Sequence, residues 1–198
     1  MKLTQPLVKL FVHWLYTKTV PDVDSFEEWS PIIDSALEPS MYDAWMQKVF
    51  LVLIKAYAFG NKFLATRFRQ DVNQAFSDHL HCNRLELPDG WHVMQYAFKH
   101  VPLDRPILQH LADHHCNFWP ESYDKEIDIQ AQKRLPRSFL MRVNRRFSEL
   151  LPTINTAWKG SPPRCYYEHA SEKEMQKCGK SHMVYDEDRE YGYFPKER

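Results

Sequence analysis

The 198 residues carry 26 Lys plus Arg against 26 Asp plus Glu, so the formal net charge is zero and the isoelectric point lies near 7.1. That balance argues against a protein drawn by bulk charge to nucleic acid or to an anionic membrane surface. At 43% hydrophobic, the chain is long enough for one substantial core or two small ones sharing an interface.

In chain order, the first predicted element follows Pro6. Leu7, Val8, Leu10, Phe11, Trp14 and Leu15 recur at helical spacing. Proline suits a first helical turn, where its missing N–H would have had no helical partner. The helix ends over Thr17 to Pro21, because the residue before a proline is steered toward extended geometry. The stretch FVHWLYTKTVP, residues 11–21, is so apolar that it needs something to pack against. Residues 22–40, with Pro31 and Pro39, read as a surface connection with room for one short helical turn.

From Tyr42 to Phe59 the sequence is apolar almost all round, as expected of a buried helix. Gly60 stands where a helix C-terminus often needs a left-handed residue. A second helix is predicted from Lys62 to Asp78, and so short a link makes the two an antiparallel hairpin. Further helices are predicted over 90–99, 105–118 and 138–151. The last has Ser138 as N-cap. Its buried face is read as Phe139, Leu140, Val143, Phe147, Leu150 and Leu151, and Pro152 stops it. GSPP at 160–163 opens a polar, tyrosine-bearing tail of weak periodicity, read as partly disordered. Strand-type alternation is nearly absent, so the expected fold class is all-α. The residues expected to carry the packing are Trp14, Leu15, Phe50, Leu53, Tyr57, Phe59, Phe63 and Phe68.

The start MKLTQPLVKLF breaks its apolar run with Pro6 and Lys9 and offers no small-residue cleavage site, unlike a secretory signal. The most apolar window, 44–59, is short for a bilayer and carries Lys48 and Lys55. Four cysteines, at 82, 116, 165 and 178, are few for a disulfide scaffold of this length. The expectation is an intracellular chain, cytoplasmic or nuclear, with reduced thiols and no membrane partner.

The most chemical pattern lies in the tail. Cys165, His169, Cys178 and His182 are spaced C-x3-H-x8-C-x3-H, and two sulfurs with two nitrogens could close a tetrahedral zinc site. The competing reading is four unliganded side chains on a mobile tail. HLHC at 79–82 and HHC at 114–116 put histidines beside cysteines, which invites a nucleophile–base reading. Helix neighbours point in different directions, so histidines near solvent at helix ends are the ordinary explanation. An enzyme built on His110, His114, His115 and Cys116 is the weakest option. Five glycines leave little for phosphate-cradling loops, and no phosphate loop, nucleophile elbow or dinucleotide fingerprint occurs. Arg142, Arg145 and Arg146 read as one solvated helix face opposite Val143, Phe147 and Leu150, so no nucleic-acid partner is expected.

FVHWLYTKTVP, KAYAFGNKFLATRFRQDV at 55–72 and LPRSFL at 135–140 occur in an order and spacing that resembles the back half of fungal BTB/POZ-domain proteins. Members of that family typically show a WLYTG-like segment, then an AYVFGDKL-like helix turn, then an LPxxFL element. Lys18 stands here in place of the family's glycine, which alters the usual turn. The resemblance spans roughly residues 5–150. It implies a helical hairpin forming the C-terminal half of a BTB-like domain over 1–80, further helices packed on it over 81–152, and a polar tail over 153–198. The family's front half, a small sheet with the first helices, is absent. The chain is then either a truncated gene product or a diverged remnant whose helical half stands alone.

The resemblance also implies a non-enzymatic protein–protein interaction module, a scaffold or adaptor without cofactor, whose partners are other proteins or a second copy of itself. Some BTB domains recruit cullin-type ubiquitin ligases, but the family's dimer surface uses N-terminal elements this chain does not have. The alternative is a small regulatory protein stabilised by zinc in its Cys/His tail. On the remnant reading, Phe11, Trp14 and Leu15 are expected to be left half exposed.

Overall fold

In the computed structural model, residues 3–33, 42–82, 90–118, 133–154 and 165–181 are described, and they form eight α-helices and no strand. These are α1 (Gln5–Thr17), α2 (Phe26–Ile33), α3 (Tyr42–Lys62), α4 (Thr66–Cys82), α5 (Gly90–His100), α6 (Pro106–Phe118), α7 (Arg137–Ile154) and α8 (Glu172–Ser181). The chain divides into a helical body, Met1–Ser161 together with Tyr166–Glu168, and a second unit, Pro162–Cys165 with His169–Arg198.

The predicted hairpin of α3 and α4 is the centre of the body. Phe59 meets Phe68 near the turn, while Phe50 meets Phe76 and His79 farther along, which is the pairing of antiparallel helices. The turn itself corrects the expectation for Gly60. That glycine lies inside α3, and the left-handed residue is Leu64, at φ 56°. The Ala65 N–H donates to the Gly60 carbonyl at 2.9 Å and the Leu64 N–H to the Asn61 carbonyl at 3.4 Å. This is the Schellman closure, built on leucine instead of glycine. Gly60 serves a different need. A Cβ there would sit 2.9 Å from the Arg69 Cβ, so the missing side chain lets α3 and α4 approach at the turn.

α1 packs on α2 and α3. Leu7, Leu10 and Trp14 are buried, Phe11 contacts Phe59 and Phe68, and the Trp14 indole N–H donates to Asp71 on α4 at 2.9 Å. Trp14 is therefore not half exposed as anticipated, because the hairpin supplies the surface it needs. Leu15 is 44% exposed, and Phe63 is also exposed, so these two leave the expected core. Lys18 takes the left-handed conformation at φ 60°, its N–H bonded to the Trp14 carbonyl at 2.8 Å. The C-terminal turn is thus kept without glycine, and the Lys18 ammonium lies 5.1 Å from the Trp14 ring centre.

Part of the predicted surface connection at 22–40 is helix α2, whose Trp29, Ile32 and Ile33 are buried. Ser25 accepts the Glu28 N–H and Glu28 accepts the Asp22 N–H, which ties down the entry turn. Pro31 is accommodated within this helix, and its carbonyl accepts from the Lys9 ammonium at 2.9 Å. α5, α6 and α7 complete the body, α6 packing on α4 and α7, and α5 on α3, α6 and α7. α7 runs to Ile154, past the proline expected to stop it at 152. Within the tail, residues 165–181 carry the short helix α8.

Candidate functional site

Three residues of the tail, Tyr166, Tyr167 and Glu168, belong to the helical body and occupy a polar slot formed by α3, α4 and α6. Glu168, 6% exposed at its side chain, pairs with Arg69 Nε at 2.7 Å and accepts a hydrogen bond from the Tyr57 hydroxyl. Burial, reinforced by this carboxylate, pushes the Tyr57 hydroxyl well above the usual phenol range. The Tyr166 ring stacks on His110 with centroids 4.0 Å apart, and its hydroxyl donates to Asp113 at 2.7 Å. Between them, the Asn73 amide donates to the Tyr166 carbonyl at 2.9 Å. Tyr167 hydrogen-bonds Asp78 at the surface.

Sequence reasoning missed this arrangement. The sequence pattern assigns Tyr57 to packing only and gives no role to Arg69, Asn73, Tyr166 or Glu168. The one signal available was a tyrosine pair inside an otherwise charged tail.

Behind the slot is a buried ion pair. Asp113 faces Arg146 Nε at 3.4 Å, accepts from Gln109 at 2.8 Å, and Arg146 also reaches Glu149 at 3.2 Å. Arg142 donates to Gln109 at 2.6 Å and to the Leu103 carbonyl. The reading of Arg142, Arg145 and Arg146 as one solvated face is therefore corrected. Arg146, like Phe139, is turned inward, while Leu140 and Phe147, expected to be buried, are exposed. The physical reason is Asp113, a carboxylate in the interior that requires a cation.

The histidine–cysteine clusters resolve into packing. His110 and His114 are buried, not near solvent, and His110 Nδ1 lies 3.2 Å from the Ser77 hydroxyl. His115 packs edge-on against Trp91 and Phe139. Burial, with Asp113 nearby, pushes the Cys116 thiol up to about 12, which removes the thiolate a nucleophile would need. His79 is buried against Phe50 and faces Asp24 at 3.6 Å. The side chains of His81 and Cys82 lie outside the described residues.

Of the four candidate zinc ligands, two are brought together: Cys165 Sγ and His169 Nε2 are 3.1 Å apart. Cys178 falls on α8, but its side chain and all of His182 lie outside the described residues. Among the described residues, no three His, Cys, Asp or Glu side chains gather to hold a metal.

A groove of about 510 Å³ runs between the 18–24 turn and α4, lined by Asp22, Asp24, Asp71 and Asp78 among others. Its carboxylates already serve the fold. Asp71 takes Trp14 and Arg67, Asp24 takes Tyr42, Asp78 takes Tyr167, and Asp22 accepts the Asp24 N–H.

The outer face of α1 is different. Val8, Val12, Leu15 and Tyr16 are all exposed and follow one another at helical spacing. Half-buried Phe11 borders them and leads through Phe59 to exposed Phe63, with ring centres 5.1 and 4.6 Å apart. No helix among the described residues is long and apolar enough to cross a membrane. No protein-family model, curated protein or solved structure matches this chain.

Proposed function

We propose that the chain is a non-enzymatic protein–protein interaction module, a scaffold or adaptor similar to the helical half of a BTB domain, whose α1 docks a partner protein. The observation that carries this is the apolar stripe of Val8, Val12, Leu15 and Tyr16. Contiguous exposed apolar surface is what monomeric proteins avoid and interfaces use. Covering one large aliphatic or aromatic side chain stabilises by roughly 1.5–3 kcal/mol. The inner face of α1 is already engaged through Trp14 and Phe11, so a partner could dock without remodelling the body. A non-enzymatic role is supported by the state of the candidate catalytic groups: Cys116 is a neutral thiol, and His110 is buried against the Ser77 hydroxyl and the Tyr166 ring.

The test places a photo-crosslinking residue at position 12 in cells, beside light scattering of the purified chain over a range of concentrations. The expected result is a discrete crosslinked protein, or a defined dimer, that disappears in Leu15→Glu while the thermal transition is kept. A strictly monomeric chain giving no discrete crosslink sinks the reading.

A second reading, a small zinc-stabilised regulatory protein, is favoured by the contact between Cys165 and His169, a thiol and an imidazole at adjoining positions in space. Elemental analysis of chain purified without chelator decides it. Stoichiometric zinc lost in Cys165→Ser supports it, and its absence ends it.

A further inference from the structure

The slot that holds Tyr166–Glu168 has the properties of a peptide-binding site occupied from within. Two features separate this tripeptide from an ordinary part of the fold. The apolar core of the body is assembled from α1 to α7 and the turns between them, and none of residues 166–168 contributes to it. The residues immediately before and after the tripeptide belong to the other unit. The three residues are thus inserted into a body whose core is closed without them.

The grip combines main-chain and side-chain contacts on a short segment that bends at Tyr167. α4 reaches the main chain through Asn73 at the Tyr166 carbonyl and through Gln70 at the Glu168 carbonyl, at 2.9 and 3.5 Å. Side chains two residues apart enter the body, while the one between them bonds at the rim. Bonds to main-chain carbonyls add affinity whatever the side chains, and the two pockets select what those side chains are. One pocket stacks an aromatic ring on His110 and receives its hydroxyl at Asp113. The other takes a carboxylate on Arg69 and Tyr57.

We propose that this slot is a docking site for a short bent segment of a partner protein carrying tyrosine and, two residues later, a carboxylate, and that the chain's own Tyr166–Glu168 holds it closed until displaced. The site is separate from the outer face of α1, and the proposal stands whatever that face binds.

The experiment uses the full-length chain in two forms, wild type and Tyr166→Ala/Glu168→Ala, with a fluorescein-labelled peptide of sequence PRSYYEHA, which is residues 163–170 with serine in place of Cys165. Anisotropy should report binding to the double variant and at least about tenfold weaker binding to wild type, because a site closed in most molecules lowers the apparent affinity by the open fraction. Adding Arg69→Ala to the double variant should abolish binding, as should exchanging the second tyrosine and the glutamate in the peptide. Hydrogen exchange on wild type should show the amides of 166–168 opening faster than those of α3 and α4.

A folded double variant that ignores the peptide overturns the proposal, and so does equal binding by the two forms. A double variant that fails to fold overturns it too, because the tripeptide is then part of the fold. Exchange at 166–168 no faster than global unfolding has the same consequence. A wild-type dimer that the double variant loses would assign the slot to a second copy's strap and overturn the partner.

Discussion

Asp113 and Arg146 face each other at 3.4 Å with both side chains 1% exposed, and they tie α6 to α7 inside the body. Removing one partner strands the other charge away from water, whereas removing both charges does not. Arg146→Met is expected to cost about 3–5 kcal/mol in urea unfolding. Asp113→Asn combined with Arg146→Met should recover most of that, since the amide oxygen at 113 still accepts from Gln109 and its NH2 donates to the Tyr166 hydroxyl oxygen. Equal losses in the single and double variants would contradict the assignment.

At the α3–α4 turn, two substitutions should act in opposite directions. Gly60→Ala forces a methyl into the Arg69 backbone and should destabilise by about 1–3 kcal/mol, as overpacking does. Leu64→Gly removes a left-handed leucine that is 82% exposed, at φ 56°. Relief of that strain, less the freedom glycine gains in the unfolded chain, should stabilise by about 0.5–1 kcal/mol. Denaturant midpoints of the two variants, measured beside wild type, give the signs directly.

Alkaline stability should report on Cys116. Its thiol is raised from an ordinary 9.0 to about 12 in the folded chain, first by burial and then by Asp113. The folded state therefore holds a proton that the unfolded state releases, a stabilisation intact below pH 9 and lost as the pH rises toward 12. Wild type should lose stability across that window faster than Cys116→Ser. Parallel curves would refute the shift.

On the acid side the relevant group is His79. Burial lowers it from 6.5, and Asp24 and Asp22 oppose that shift without cancelling it. The unfolded chain takes up this proton first, so the contribution of His79 is present above pH 6.5 and declines as the pH falls below it. His79→Gln should flatten the fall in melting temperature between pH 6.5 and 5. No difference from wild type would show that another group governs that limb.

What could be read from the sequence follows from the range of the interactions involved. The α3–α4 hairpin was legible because the apolar run of 42–59 and the short link to 62 are local patterns. α2 carried a local signal as well, Ser25 with Glu28 three residues on, but Pro31 and Pro39 outweighed it. The inner face of α7 was misread because it depends on Asp113, 33 positions earlier: an arginine goes inward only where a carboxylate waits for it, and Phe147 is then turned out. The slot was invisible for the same reason. Tyr57 and Arg69 look like helix residues of the hairpin until Glu168, about a hundred positions later, arrives between them. The Cys165–His169 half of the tail pattern is local, and those two side chains are indeed adjacent.

Phe11 has a consequence for how binding at α1 would be sensed. Its ring touches Phe59 and Phe68 inward and adjoins Val8 and Leu15 outward, so it is a shared wall between the interior and the exposed stripe. Whatever covers that stripe would compress this wall, and ring flipping at fully buried Phe68 would slow without that ring touching the visitor. The core of the hairpin would then act as a built-in reporter, and aromatic line shapes would register occupancy of a surface one layer away.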